Sequence, residues 1–132
     1  MIGLNQKLIL QTGSFGLVMG ILNTLGYTQN YDIYIWIIIL IGSAFIISKK
    51  VNSKIFIHCL LIGLCWGVDA SFIEALFYKT FINNNIYASD FYSKISFINP
   101  RISLILLGVF CGFISGILLY YFQLILSKIK LK

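Results

Sequence analysis

Long apolar blocks alternate with short polar stretches along this chain, and each block is long enough for a helix that crosses a bilayer. The first block runs from about residue 8 to 26 and a polar turn, Tyr27-Thr28-Gln29-Asn30, follows it. The second, about 31–48, is the most lipid-like, with Ile33, Ile35, Ile37, Ile38, Ile39, Ile41, Ile46 and Ile47. β-Branched residues are weak helix formers in water, but in hydrocarbon a helix is the simplest way to satisfy the backbone. The third block starts at Ile55, is read as a span over about 55–80, and stays apolar to about Ile82. Some 28 residues at about 1.5 Å each would reach about 42 Å, against a hydrocarbon core of about 30 Å, so this helix is expected to tilt or project. Asn99-Pro100 opens the fourth, about 101–126, with Asn as N-cap and Pro at the first helical position. The one long connection, 83–99, carries Tyr87, Phe91, Ile95 and Ile98 at helical spacing, which predicts an amphipathic helix lying in the outer interface. The fold class predicted is an all-α membrane protein: one domain of four transmembrane helices, short loops and one amphipathic outer segment.

Composition narrows the function classes. Hydrophobic residues make up 59% of the 132 positions and charged residues 11%, where about 25% charged is usual. The spans and their short connections use nearly the whole chain, which leaves no room for a soluble catalytic domain. The net charge of +6 invites a nucleic-acid reading, but the basic residues flank apolar blocks, and a groove-reading surface needs more exposed protein than this. No direct nucleic-acid binding is expected. With four spans, Lys7, Lys49, Lys50, Lys54, Lys128, Lys130 and Lys132 share one face, while Lys79, Lys94 and Arg101, offset by Asp32 and Asp90, lie on the other. The bias places both termini in the cytoplasm of a bacterial inner-membrane protein. Tyr27, Tyr31, Tyr34 and Trp36 fit an aromatic belt on the outer side. The first block holds Gln11, Thr12, Ser14, Asn23 and Thr24 and no A-x-A-like site follows it, so it reads as a retained span rather than a signal peptide. The basic face, Lys49, Lys50, Lys54, Lys128, Lys130 and Lys132, suits contact with anionic headgroups, at about 1 kcal/mol per residue, or docking of an acidic cytoplasmic protein.

Three blocks carry small residues at every fourth position: Thr12, Gly16, Gly20 and Thr24; then Cys59, Gly63, Gly67, Ser71 and Ala75; then Gly108, Gly112 and Gly116. Residues four apart share a helix face, and small ridges let helix backbones approach closely where lipid offers no hydrophobic drive. The ridges serve packing within one chain or between copies. Three of them exceed the need of one small bundle, so a homo-oligomer is expected.

Ionisable residues concentrate in the third block. His58, Ile62, Cys65 and Asp69 share a face, with Glu74 nearer the outer end. A carboxylate at the bilayer centre costs about 3 kcal/mol on insertion scales. Asp69 is therefore read either as an ion, proton or conformational site, or as a hydrogen-bond partner of Gln11, Asn23 or Thr24. Glu74 is expected to snorkel and His58 to sit at the cytoplasmic interface. Cys59, Cys65 and Cys111 form no CxxC pair and read as small packing residues. His58, Cys59 and Cys65 are too sparse for a metal site. No nucleophile–base pair, phosphate loop or H-E-x-x-H motif is present, so no catalytic residue, metal or cofactor is expected.

Four spans in a short chain with glycines in the fourth resemble the small multidrug-resistance transporters. That family carries its coupling Glu in the first span, where this chain has only Gln11, Asn23 and Thr24. The Ile-, Asn-, Lys- and Tyr-rich wording of Ile33 to Ile47 and of Asn83-Asn84-Asn85 is similar to that of AT-rich genes on bacterial mobile elements. Immunity proteins against pore-forming colicins share this look. In size, span count and scarcity of soluble sequence the whole chain also resembles the membrane subunits (KwaA) of the Kiwa anti-phage system. That resemblance implies an oligomeric membrane platform working with a cytoplasmic effector, KwaB, that engages DNA.

The expected function is a non-enzymatic sensor or scaffold with a cytoplasmic partner, plausible in phage defence. The 83–99 loop would receive a signal, Asp69 and Glu74 transmit it, and the basic face present it. The alternatives are a small ion or proton channel or transporter using Asp69, and an immunity protein against a pore-forming bacteriocin.

Overall fold

A computed structural model describes residues 3–94 and 98–130, and among these every regular element is helical. In chain order they are α1 (Gln6–Gly13), α2 (Phe15–Thr24), a 3-10 turn (Gln29–Tyr31), α3 (Asp32–Lys50), α4 (Ile55–Leu76), α5 (Tyr78–Asn84), α6 (Ile86–Lys94) and α7 (Pro100–Lys130). Three of them, α3, α4 and α7, are long and apolar enough to cross a membrane. The expected 8–26 helix is instead divided at Ser14 into α1 and α2, neither of which reaches span length alone. Ser14 keeps helical dihedrals and its hydroxyl bonds back to the Gln11 carbonyl at 2.8 Å, which loosens the turn without ending the direction of travel.

The expected third span also changes. Instead of one overlong helix, α4 stops at Leu76 and α5 begins at Tyr78, with Phe77 outside helical geometry at φ −100°, ψ 36°. The surplus apolar length becomes a separate cap rather than a tilt. The start of α7 follows the expectation: Asn99 Oδ1 accepts the Arg101 amide at 3.0 Å and Pro100 takes the first helical position. At about 1.5 Å per residue α7 is about 46 Å long, so it outruns a hydrocarbon core of about 30 Å.

α4 is the centre of the molecule. It lies against α7 over most of its length and against α1 and α2 on another side, while α3 touches mainly α7. The glycine ridges explain this order. A methyl group added at Gly63 or Gly67 would run into the Gly116 amide or the Gly108 carbonyl, and at Gly112 it would lie 2.7 Å from the Gly63 carbonyl. The pairing is antiparallel. At Gly16 an added methyl would lie 2.6 Å from the Trp66 Cα, and at Gly20 2.8 Å from the Ala70 Cα, so the first ridge also seats on α4. Glycines of all three ridges meet backbone of the same chain.

The main core gathers Leu8, Ile9, Ala44, Ile47, Cys59, Ile62, Trp66 and Leu119 toward the Lys-rich end. A smaller one, Ala75, Phe81, Tyr92 and Leu104, closes the opposite end under α5 and α6. α3 buries only Ser43, Ala44 and Ile47, all in its second half, as its lipid-like sequence implies. On α6 the expected apolar face is the exposed one: Tyr87 and Phe91 face outward, as does Ile98 beyond the helix, while Tyr92 turns in. Ile95 and Lys132, and the side chain of Lys130, lie outside the described residues.

Candidate functional site

The parallel run of α1–α2 beside α4 places polar side chains at both ends of α4. At the Lys-rich end, His58 lies in the first turn of α4 and is 1% exposed. Its Nε2 accepts the Asn5 amide at 2.9 Å and its Nδ1 lies 3.0 Å from the Lys54 carbonyl. Nδ1–H therefore donates to the carbonyl and the ring is neutral, locking the start of α1 to the start of α4. Asn5 also caps α1, its Oδ1 accepting the Leu8 amide at 3.0 Å. Midway, the Trp66 indole donates to the Thr12 carbonyl at 2.8 Å.

At the other end Asn23 is the hub. Its Nδ2 donates to Glu74 Oε1 at 2.9 Å, and its Oδ1 accepts the Thr28 hydroxyl at 2.6 Å. The Asn23 carbonyl accepts Asn85 Nδ2 at 2.8 Å, and the Thr24 carbonyl accepts Asn84 Nδ2 at 3.0 Å. These are the last carbonyls of α2, which have no partner within their own helix, so the asparagine run at the end of α5 serves as a C-terminal clamp. Gly26, at φ +78°, turns the chain there, and an added methyl would lie 3.0 Å from the Asn84 Cβ. Gln29 Nε2 completes the clamp by donating to the Asn84 carbonyl at 2.6 Å.

Beneath this clamp lies a cavity of about 920 Å³, between the first half of α3, the second half of α4 and α7, roofed by α5 and α6. Glu74 and Asp32 line it, with Asn23, Gln29, Asn85 and Ser71 as neutral polar groups and Trp36, Trp66 and Tyr92 as aromatic walls. No Lys or Arg is among the lining residues. Glu74 is 8% exposed and its only polar partner shown is the Asn23 amide, while Asp32 Oδ1 is buried with no hydrogen-bond partner among the described residues. A buried Glu74 carboxylate and a partly buried Asp32 carboxylate, with neutral donors and no cation beside them among the described residues, are poorly compensated. Trp36 and Trp66 stand 5.7 Å apart, tilted by 53°, so Trp36 faces the cavity rather than an outer belt, whereas Tyr27, Tyr31 and Tyr34 are exposed. Burial raises the Tyr92 phenol well above its usual range, with the Glu74 carboxylate adding to the effect, so Tyr92 stays a neutral hydrogen-bonding group at the roof.

The residues singled out in the sequence divide clearly. Glu74 is buried and bonded rather than snorkelling, and Asp69 is half-buried and not among the residues lining the cavity. The hydrogen bond expected for Asp69 belongs to Glu74. Thr24 bonds its own Gly20 carbonyl at 2.7 Å, and Gln11 is exposed. Asp32 and Trp36, four apart on α3, join the site with Asn85 of the α5–α6 junction and Tyr92 of α6, and no spacing within one block relates these three segments. Asp32 alone carried a hint, as an acid at the mouth of the most lipid-like block. Among the described residues no group of three His, Cys, Asp or Glu side chains could hold a metal ion. Comparison of the chain with family models, with curated proteins and with solved structures gives no match.

Proposed function

We propose that the protein is an integral membrane protein of four spans that binds a small cation in the acidic cavity and conducts it as a transporter does. One observation carries the reading: in a chain with net charge +6, the described residues that line the cavity include two carboxylates and no basic residue. A cation supplies the compensation that Asn23 and its neutral companions cannot. The α1–α2 run supports the fourth span. It follows α4 from the level of His58 to that of Glu74, and residues 6–24 at about 1.5 Å each reach about 28 Å, close to a bilayer core. First and third spans of a four-span bundle run parallel, as α1–α2 and α4 do.

The cavity lies away from the Lys-rich end. On the lysine side Ile47, Cys59, Ile62 and Leu119 are fully buried and close the path, as in a carrier holding one face shut. Uptake of methylammonium into proteoliposomes tests this reading. Glu74→Gln, which keeps a hydrogen-bond acceptor for Asn23, abolishes uptake, and Asp69→Asn leaves it within about twofold. Uptake that ignores Glu74 and requires Asp69 overturns the assignment of the site.

A second reading has its own observation. Lys49, Lys50, Lys54 and Lys128 are exposed together at one end of the bundle, a surface suited to an acidic cytoplasmic protein as well as to anionic lipid. On that reading cavity occupancy is sensed rather than conducted. Purification in mild detergent then brings down a soluble partner that Lys49→Glu with Lys128→Glu releases, and flux is absent.

A further inference from the structure

The acid that stays outside the cavity is Asp69. It stands five residues before Glu74 on α4, which turns it about 140° around the helix axis from that residue. α4 meets its neighbours on other faces: α7 seats on Gly63 and Gly67, and α2 on Trp66 and Ala70. Asp69 shares the remaining face with Phe72 and Leu76, at spacings of three and four, and these two are exposed by 51% and 54%. Among the described residues Asp69 makes no hydrogen bond and no ion pair. It lies about 10 Å along the axis from the Leu76 end of α4, at about 1.5 Å per residue. Where α4 crosses a bilayer, the short Asp side chain cannot reach the interface from that depth as a Lys or Arg stem can.

Resting on the reading of α4 as a membrane span, and not on what the cavity binds, we infer that this face docks a transmembrane helix of a different membrane protein, one that carries a Lys or Arg at the depth of Asp69. Charge complementarity selects this occupant. A carboxylate in hydrocarbon is costly until a cation or donor meets it, and a basic residue within a span has the same need, so the pair relieves both. A second copy of this chain cannot supply the cation. None of its ten Lys and Arg lies within residues 8–48, 55–78 or 102–127, so a copy in either orientation brings no basic residue to that level. A copy related by a twofold axis along the membrane normal would set Asp69 against Asp69. Phe72 and Leu76 beside the acid give the incoming helix apolar surface to pack on.

Energy transfer from the two tryptophans of the full chain, Trp36 and Trp66, to dansylated peptides in phosphatidylcholine vesicles tests this. The peptides are Leu-Ala helices of about 20 residues, long enough to span, with a single Lys, Leu or Asp at the depth of Asp69. The Lys peptide is expected to reach half-maximal transfer at a peptide-to-lipid ratio about tenfold lower than the Leu peptide. Asp69→Asn is expected to remove that advantage, Glu74→Gln to leave it in place, and Asp69→Lys to hand it to the Asp peptide. Equal transfer to the Lys and Leu peptides in the wild type, or an advantage that survives Asp69→Asn, overturns the inference. Asp69-dependent dimers of the chain alone, seen by sedimentation in mild detergent, would make the occupant a second copy and overturn it as well. A chain that fails to float with the vesicles overturns the membrane reading itself, whereas flotation without Lys-selective pairing defeats the inference alone.

Discussion

At Asn23 three contacts converge from three separate segments: the Glu74 carboxylate, the Thr28 hydroxyl and the Asn85 amide. Removing the Asn23 side chain leaves a nine-tenths-buried carboxylate with no donor, and an unsatisfied buried group of this kind costs about 1–3 kcal/mol, more where it is charged. Asn23→Ala is therefore expected to lower stability by about 2 kcal/mol, read as an earlier midpoint in SDS-titrated unfolding followed by circular dichroism. Adding Glu74→Met restores much of the loss, because an apolar side chain there needs no donor. If the single variant is as stable as the wild type, Asn23 is not what holds Glu74. His58 works by the same logic at the other end. His58→Phe fills the space but deletes the acceptor for the Asn5 amide, so hydrogen exchange over residues 5–9 is expected to speed up about tenfold while that of α7 stays unchanged. Equal protection of the first turn in both proteins would show that the ring holds nothing in place.

Helix pairing turns on the absence of side chains at a few positions. At Gly67 an added methyl meets the Gly108 carbonyl and lies 2.7 Å from the Gly112 Cα, both rigid backbone, so Gly67→Ala must push α4 and α7 apart. Overpacking of this kind costs about 1–3 kcal/mol. Gly42, on the outward face of α3, has nothing within 4 Å of an added methyl. Gly42→Ala is expected to stabilise by about 0.5–1 kcal/mol, since glycine in a helix interior is poorer than alanine by that amount. SDS unfolding of the two variants should move in opposite directions; movement in the same direction removes the ridge explanation. These ridges were legible in the sequence, because a four-residue period survives any arrangement of the spans. So were the Asn99-Pro100 start, the lipid-like α3 and the grouping of lysines at one end, each set by local chemistry. The break at Phe77 was not, since no Pro or Gly marks it and apolar residues continue on both sides. The site was half legible. Buried acids in the third block announced a polar centre, but the choice of Glu74 over Asp69 depends on which face α2 and α7 cover, and periodicity within α4 does not contain that. Asp32 and Tyr92 reach the cavity only through the placement of α3 and α6.

The whole molecule is polarised along its axis: a lysine-rich end around His58 and an acidic end around Glu74, capped by α5 and α6. On the proposed four-span reading the positive-inside bias would orient the first toward the cytoplasm, and the passage of α1–α2 beside α4 would then decide where the N-terminus emerges. Because Asn5 is held at His58 and Asn23 at Glu74, the start of α1 and the end of α7 must share a side if this run crosses the bilayer. Single cysteines in place of Lys7, Tyr87 and Lys128, all three exposed, report on this when the native thiols are replaced by Ser. In intact cells a membrane-impermeant maleimide is expected to label the position at 87, within α6, and to spare the positions at 7 and 128 until the membrane is opened. Labelling at 7 and 87 with protection at 128 would leave three spans and carry α1 to the outer face. That arrangement would require the His58–Asn5 bond to be broken and Glu74 to lose its donor, so the residue-scale variants and the topology map must fail or stand together. Protection at both 7 and 128 would place Glu74 and Asp32 in the outer half of the bilayer, on the side from which the proposed cation reaches the cavity.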